Sequence, residues 1–134
     1  MAFTLCRIIF FIISIIGLSF SIPIATAIFC HEYFVIPSFL IPMIASLILG
    51  AMTLFFFCNK KSRLTIRSSF AAVALAWISA SLFGAIPLYF SGAIPNFTDA
   101  FFESVSGFTT TGATTLSEIE KLPRSINLWR CLSH

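Results

Sequence analysis

The chain reads as an all-α membrane protein, with three transmembrane helices, one re-entrant half-helix and a Thr/Gly loop. Composition is the first reason. Of 134 residues, 58% are hydrophobic and 10% charged, where a soluble domain carries about a quarter charged residues. The mean hydropathy is +1.01. Uncharged runs are the second reason: 8–30, 33–59 and 68–98 each reach the ~20 residues that a ~30 Å hydrocarbon core requires. The third is the segment 96–115, NFTDAFFESVSGFTTTGATT, which follows the last run and places a short helix directly before a strip of Thr and Gly.

The first span is predicted at 5–29. Arg7 and the Ala25-Thr26-Ala27 triplet imitate a signal peptide, but the apolar stretch exceeds the 7–15 residues of an h-region. Bulky Ile28 and Phe29 before Cys30 also fit a lipoprotein box poorly, so the helix is expected to stay uncleaved. The second span is predicted at 37–58 and opens on Pro37. The third is predicted at 69–91, because Gly92 and Pro95 lead the chain out of the membrane near Ser91. Pro42 and Pro87 predict kinks, which lipid tolerates where neighbouring groups satisfy the freed carbonyl. Ala72, Ala76, Ala80 and Gly84 recur every four positions, a stripe of small residues that lets helix backbones approach closely. Packing is the reading preferred for that stripe. Spans one and two lack one by this reading, and are expected to be peripheral or lipid-facing.

Lys60, Lys61, Arg63 and Arg67 cluster between spans two and three, and Arg7 precedes span one. The positive-inside bias makes that loop and the N-terminus cytoplasmic. All five acids, Glu32, Asp99, Glu103, Glu118 and Glu120, then fall on the outer half. A net charge of +3, scattered along the chain, gives no reason to expect a nucleic-acid partner; the partner expected is the lipid bilayer. The four cysteines, Cys6, Cys30, Cys58 and Cys131, have no ligand spacing and no neighbouring His, so a metal site is not expected. No nucleophile–base set can be assembled from His31 and His134, and no enzyme activity is expected.

The segment 98–107 would make a helix of about 15 Å, half the hydrocarbon thickness, with Thr98 as N-cap and Asp99 where the dipole favours an acid. Phe101, Phe102, Val105 and Phe108 supply apolar surface to bury. The helix's C-terminal end, near Ser106 and Gly107, would aim its negative pole inward, where a dehydrated cation gains from it. After Phe108 the return path is Thr109, Thr110, Thr111, Gly112, Ala113 and Thr114. Small side chains and a glycine able to take positive φ let such a backbone turn its carbonyls toward an axis in place of an ion's water shell. Asp99 and Glu103 lie four apart on one face. Either they form an electronegative outer mouth that concentrates cations, or one caps the helix and the other is solvated.

The stretches 82–88 and 97–114, LFGAIPL and FTDAFFESVSGFTTTGAT, resemble the first pore repeat of the Trk/Ktr-type potassium uptake family, most closely its bacterial TrkH-like membrane subunits. The segment 122–130, LPRSINLWR, resembles the start of that repeat's inner helix. The resemblance divides the chain into two N-terminal helices with a basic loop, 1–68, and a first pore repeat, 69–134. It implies a fold of four helix–pore-loop–helix repeats and a bacterial inner-membrane location. It also implies potassium-lining carbonyls at Thr109, Thr110, Thr111 and Gly112, a homodimer, and gating by a cytosolic nucleotide-binding subunit. Potassium would be the ion carried, with no bond-making chemistry. No second pore loop lies within these 134 residues, so the expectation is a truncated portion that does not conduct alone. Two other readings stay open: an accessory membrane protein whose Thr/Gly strip is an outer loop, and a homomeric cation pore.

Overall fold

The computed structural model describes residues 2–57, 66–116 and 119–134. It contains six α-helices among them: α1 (Ala2–Ser19), α2 (Ser21–Phe29), α3 (Ile36–Phe57), α4 (Ile66–Phe90), α5 (Phe97–Phe108) and α6 (Arg124–Ser133). A 3₁₀ turn at Tyr33–Val35 leads into α3, and another at Ile119–Lys121 precedes α6. No strand occurs among the described residues. Among the described residues, three stretches are long and apolar enough to cross a membrane: Cys6–Phe29, Tyr33–Thr53 and Ser69–Phe90. The loop residues Lys60, Lys61 and Arg63, on which the expected orientation rests, lie outside the described residues.

The first span is not one unbroken helix. It breaks at Phe20, between α1 and α2. Pro23 supplies the cause: its ring opposes the carbonyl four residues back, Ser19, and it has no N–H to give. The hydroxyls of Ser19 and Ser21 donate instead to the carbonyls of Ile16 and Leu18, at 2.6 and 2.7 Å. Pro42 and Pro87 each lie inside a helix that continues past them.

Spans one and two also carry a small-residue seam. A Cβ added at Gly17 would run into the Ser46 hydroxyl, and one at Gly50 into that of Ser14. Ser14 Oγ reaches the Ser46 carbonyl at 3.2 Å. These four positions let α1 and α3 approach closely, and their spacing was hidden among Phe, Ile and Leu. In α4, Ala72, Ala76 and Ala80 are buried and line a groove with Ile8, Ile12 and Ile16 of α1. Gly84 faces α5. Large apolar side chains such as Phe11, Ile15, Ile41, Ile48, Phe55 and Val73 remain exposed, the surface a hydrocarbon solvent would cover.

The core forms where α6 meets the other helices. Trp129 packs its ring 4.6 Å from Phe20 and 6.3 Å from Phe108, and its Nε1 donates to the Gly84 carbonyl at 3.0 Å. Phe39, Leu88, Ile94 and Ile126 are essentially fully buried around it.

Candidate ion-binding strip

Helix α5 is twelve residues long, about 18 Å at 1.5 Å per residue, too short to span a bilayer. Its N-cap is Asn96, two positions earlier than the Thr98 cap read from sequence. The Asn96 side chain makes no cap bond to the backbone; its amide donates to Asp99 Oδ2 at 3.0 Å. The fully buried positions of α5 are not the aromatic ones, although Phe101 and Phe108 pack half-buried against the core. Ala100, Glu103, Ser104, Ser106 and Gly107 are buried, while Phe102 stays 44% exposed. A small, polar face is what permits the close crossing of α4: a Cβ on Gly84 would lie 2.5 Å from Ser104 Oγ.

The end of α5 is a Schellman closure. Thr110 N donates to Gly107 O and Thr111 N to Ser106 O, both at 2.9 Å, which satisfies two helix-end carbonyls. The closure requires a left-handed residue just past the cap. That residue is Thr110, with φ 54°, a conformation uncommon for a β-branched side chain. Gly112 is left-handed as well, φ 73°, and here glycine carries no Cβ penalty. Two residues of opposite hand to the helix therefore set the direction of the four-residue strip.

Residues 109–112 are exposed. Among the described residues, none donates a hydrogen bond to their four carbonyls. Two hydroxyls add to the acceptor set. Thr109 Oγ1 donates to the Val105 carbonyl at 2.7 Å, so in its 2.8 Å contact with Thr111 Oγ1 the proton comes from Thr111. Both hydroxyl protons are thus used, and the oxygens present lone pairs. A row of unspent oxygen acceptors with no fixed anion suits a weakly hydrated cation better than an anion.

Behind the strip the side chains are tied down. Ser106 Oγ donates to the Ala113 carbonyl at 2.6 Å. Glu103, read from sequence as either a mouth charge or a solvated acid, is 2% exposed. Its Oε1 accepts from the Thr115 amide at 2.7 Å and from the Thr114 hydroxyl. Its Oε2 meets Arg130 of α6 at 3.0 Å. Asp99 is half-buried one turn earlier and faces Asn96, so the two acids do not form a common open rim.

A second acid holds α6 from the other side. Glu32 Oε1 accepts from the Arg124 amide at 2.8 Å, and Oε2 accepts from the Ser125 amide and hydroxyl at 3.1 and 2.7 Å. It caps a helix whose own N-cap, Pro123, has no side chain to do so. Partial burial pushes the Glu32 carboxyl up, but the Ser125 and Arg124 hydrogen bonds and the Arg124 charge outweigh it. The carboxyl sits below its ordinary value. Glu32 is placed by another Schellman closure, at the end of α2, with His31 left-handed at φ 59° and Glu32 N bonded to Ala27 O. Sequence reasoning missed this cap because its partners lie more than ninety positions away.

Comparison with known proteins follows the same lines. A family profile for TrkH, described as a cation transport protein, matches residues 35–134. An uncharacterized cation transporter of Methanocaldococcus jannaschii is 39% identical over 119 residues, covering 89% of this chain and 24% of that protein. The Trk system potassium uptake protein TrkH of Escherichia coli K12 is 47% identical over 74 residues, 54% of this chain and 15% of that protein. TrkG of the same organism is 36% identical over 112 residues, 69% of this chain and 23% of its own length. The chain thus spans about a quarter or less of these relatives. No solved structure matches.

Proposed function

This chain belongs to the TrkH family of cation transport proteins, and we propose that residues 109–112 furnish one wall of a potassium path. In this reading α5 is a re-entrant half-helix that enters from the outer face and stops near the midplane, and the carbonyls of Thr109, Thr110, Thr111 and Gly112 replace part of the ion's hydration shell. The single observation that carries it is that no described residue donates to the four carbonyls of residues 109–112, in a strip whose course is set by the left-handed residues Thr110 and Gly112. One strip cannot enclose an ion. Three further strips must face it before the path closes, and this segment alone does not conduct. The same reading extends to a multi-pass bacterial inner-membrane location with a cytoplasmic N-terminus, to a homodimer, and to a cytosolic nucleotide-binding Trk regulatory partner.

A chimera tests the proposal. The matching segment of E. coli TrkH is replaced by residues 69–134 of this chain and introduced into a strain deficient in potassium uptake. Growth at limiting potassium is the expected result, with loss of growth for Gly112→Val, whose side chain has room but strains a positive φ. A membrane-inserted chimera that grows equally well with Gly112→Val would refute the assignment. An accessory role without transport predicts that same indifference.

A further inference from the structure

We infer that Glu103, held by Arg130, is the positioning residue of the ion strip, an inference that rests on the reading of residues 109–112 as an ion-lining wall. The strip has two ends, and they are fixed differently. Its start continues from α5 through the backbone bonds of Thr110 and Thr111. Its far end has no regular structure of its own: residues 111–116 are neither helix nor strand. The Ser106 hydroxyl holds that end at the Ala113 carbonyl, and beyond Ala113 one carboxylate fixes it. Glu103 Oε1 takes the Thr115 amide and the Thr114 hydroxyl, with Thr115 Oγ1 further off at 3.4 Å.

The other oxygen explains why the carboxylate stays in place. Arg130 Nε and a terminal nitrogen both reach Glu103 Oε2, at 3.1 and 3.0 Å. The same guanidinium donates to Thr114 Oγ1 at 3.2 Å. Thr114 therefore accepts from Arg130 and donates to Glu103, closing a three-membered ring of side chains behind the backbone. The Glu103 side chain is 1% exposed and that of Arg130 12%, so neither charge is available to attract ions from solution. Their geometry serves the main chain. A carboxylate supplies acceptors to both Thr114 and Thr115; an apolar group would leave the Thr115 amide unpaired, and a cation would repel that N–H dipole.

This assignment differs from simple fastening of α5 to α6, and charge transposition separates the two. Glu103→Arg combined with Arg130→Glu restores opposite charges across the helix pair but removes the acceptor facing Thr115. The experiment uses the full chain in lipid nanodiscs. NMR follows the amide exchange of Thr111 and Thr115 and the Cα shift of Thr110, while circular dichroism follows total helix content. Thallium(I), as a potassium surrogate, is titrated in parallel into the E. coli TrkH chimera that carries residues 69–134 with the same substitutions.

The expected result for the transposed pair is retained helix content, Thr115 exchange faster by roughly tenfold or more, a Thr110 shift that keeps its left-handed value because the α5 closure holds that end, and loss of the thallium response. Thr114→Val keeps the ion pair and breaks the ring. It is expected to accelerate Thr115 exchange by several-fold, and it decides the matter if the transposed protein loses helix content. Wild-type exchange in both variants would overturn the inference, as would a disturbed strip with unchanged thallium affinity. A TrkH chimera with the unaltered segment and no thallium response would sink the ion-wall reading, while the strip measurements still judge Glu103.

Discussion

Adding one methyl group at Gly84 probes the crossing that carries the strip. A Cβ there would stand 2.5 Å from Ser104 Oγ and 2.6 Å from an edge carbon of the Phe108 ring. Both separations lie about 1 Å inside the ~3.5–4.0 Å optimum for such contacts. Gly84→Ala gains roughly 1 kcal/mol of helix propensity in α4, but overpacking of this kind costs about 1–3 kcal/mol. We expect a net loss of about 1 kcal/mol. Ser104 makes the experiment sharper, since its hydroxyl is buried with no hydrogen-bond partner. Ser104→Ala removes an unsatisfied group and half of the clash, so alone it should be neutral or stabilising by about 1 kcal/mol. In the double variant the penalty of Gly84→Ala should shrink by a similar amount, a coupling that independent sites do not show. Denaturation in mixed micelles, read by the fluorescence of buried Trp129 in a Trp77→Phe background, supplies the four free energies. If Gly84→Ala is as stable as wild type and shows no coupling to Ser104→Ala, the two backbones do not approach as described.

Arg130→Met should cost about 3–5 kcal/mol, because it leaves the Glu103 carboxylate buried without its cation; the same denaturation assay with Glu103→Leu added should recover much of the loss. Glu32→Gln should lower stability by about 1 kcal/mol, as removal of a helix cap does. The pH dependence has a fixed sign. The folded Glu32 pKa is depressed, so its stabilisation is complete above the unfolded value of about 4.3. It is lost as pH falls through the lower folded value, and Glu32→Gln should flatten that acid limb in a pH series of melting curves. Thr110→Gly should stabilise the α5 terminus by about 1 kcal/mol by removing the left-handed strain, which amide exchange at Thr111 would register as slower opening.

What could be read from sequence follows a physical line. The spans were legible because hydropathy is summed over twenty residues, and a few misplaced ends barely change the sum. α5 was legible because its twelve residues sit between turn formers and a Thr/Gly strip. Local chemistry also predicted that Gly112 could take positive φ. The misses are pairwise. Pro23 broke span one through a single carbonyl, although the proline itself was in plain view. Ser14, Gly17, Ser46 and Gly50 did not read as a seam, since each gains meaning only from the residue opposite. Thr110 is left-handed where the pattern put its freedom at Gly112 alone. Glu103 has no sequence neighbour that betrays Arg130, and Glu32 has none that betrays α6.

The placement of these two acids changes the electrostatic account expected from the sequence. Counted along the chain, Asp99 and Glu103 are the candidate anionic mouth for cations, and Glu32 falls on the same expected outer half. In the fold, Glu32 is consumed by the α6 amides and Glu103 by Arg130 and the strip. Both therefore fasten α6, a ten-residue helix too short to be stable by itself. If residues 109–112 line the proposed ion path, the field there comes chiefly from backbone dipoles, which are fixed in number and barely screened by salt, rather than from exposed carboxylates, which are screened. Binding at the strip should consequently change little with ionic strength, while the orientation of Thr110 and Gly112 governs it strongly. Selectivity, on this reasoning, is a property of main-chain geometry, and the buried charges act on it only through the positions they enforce.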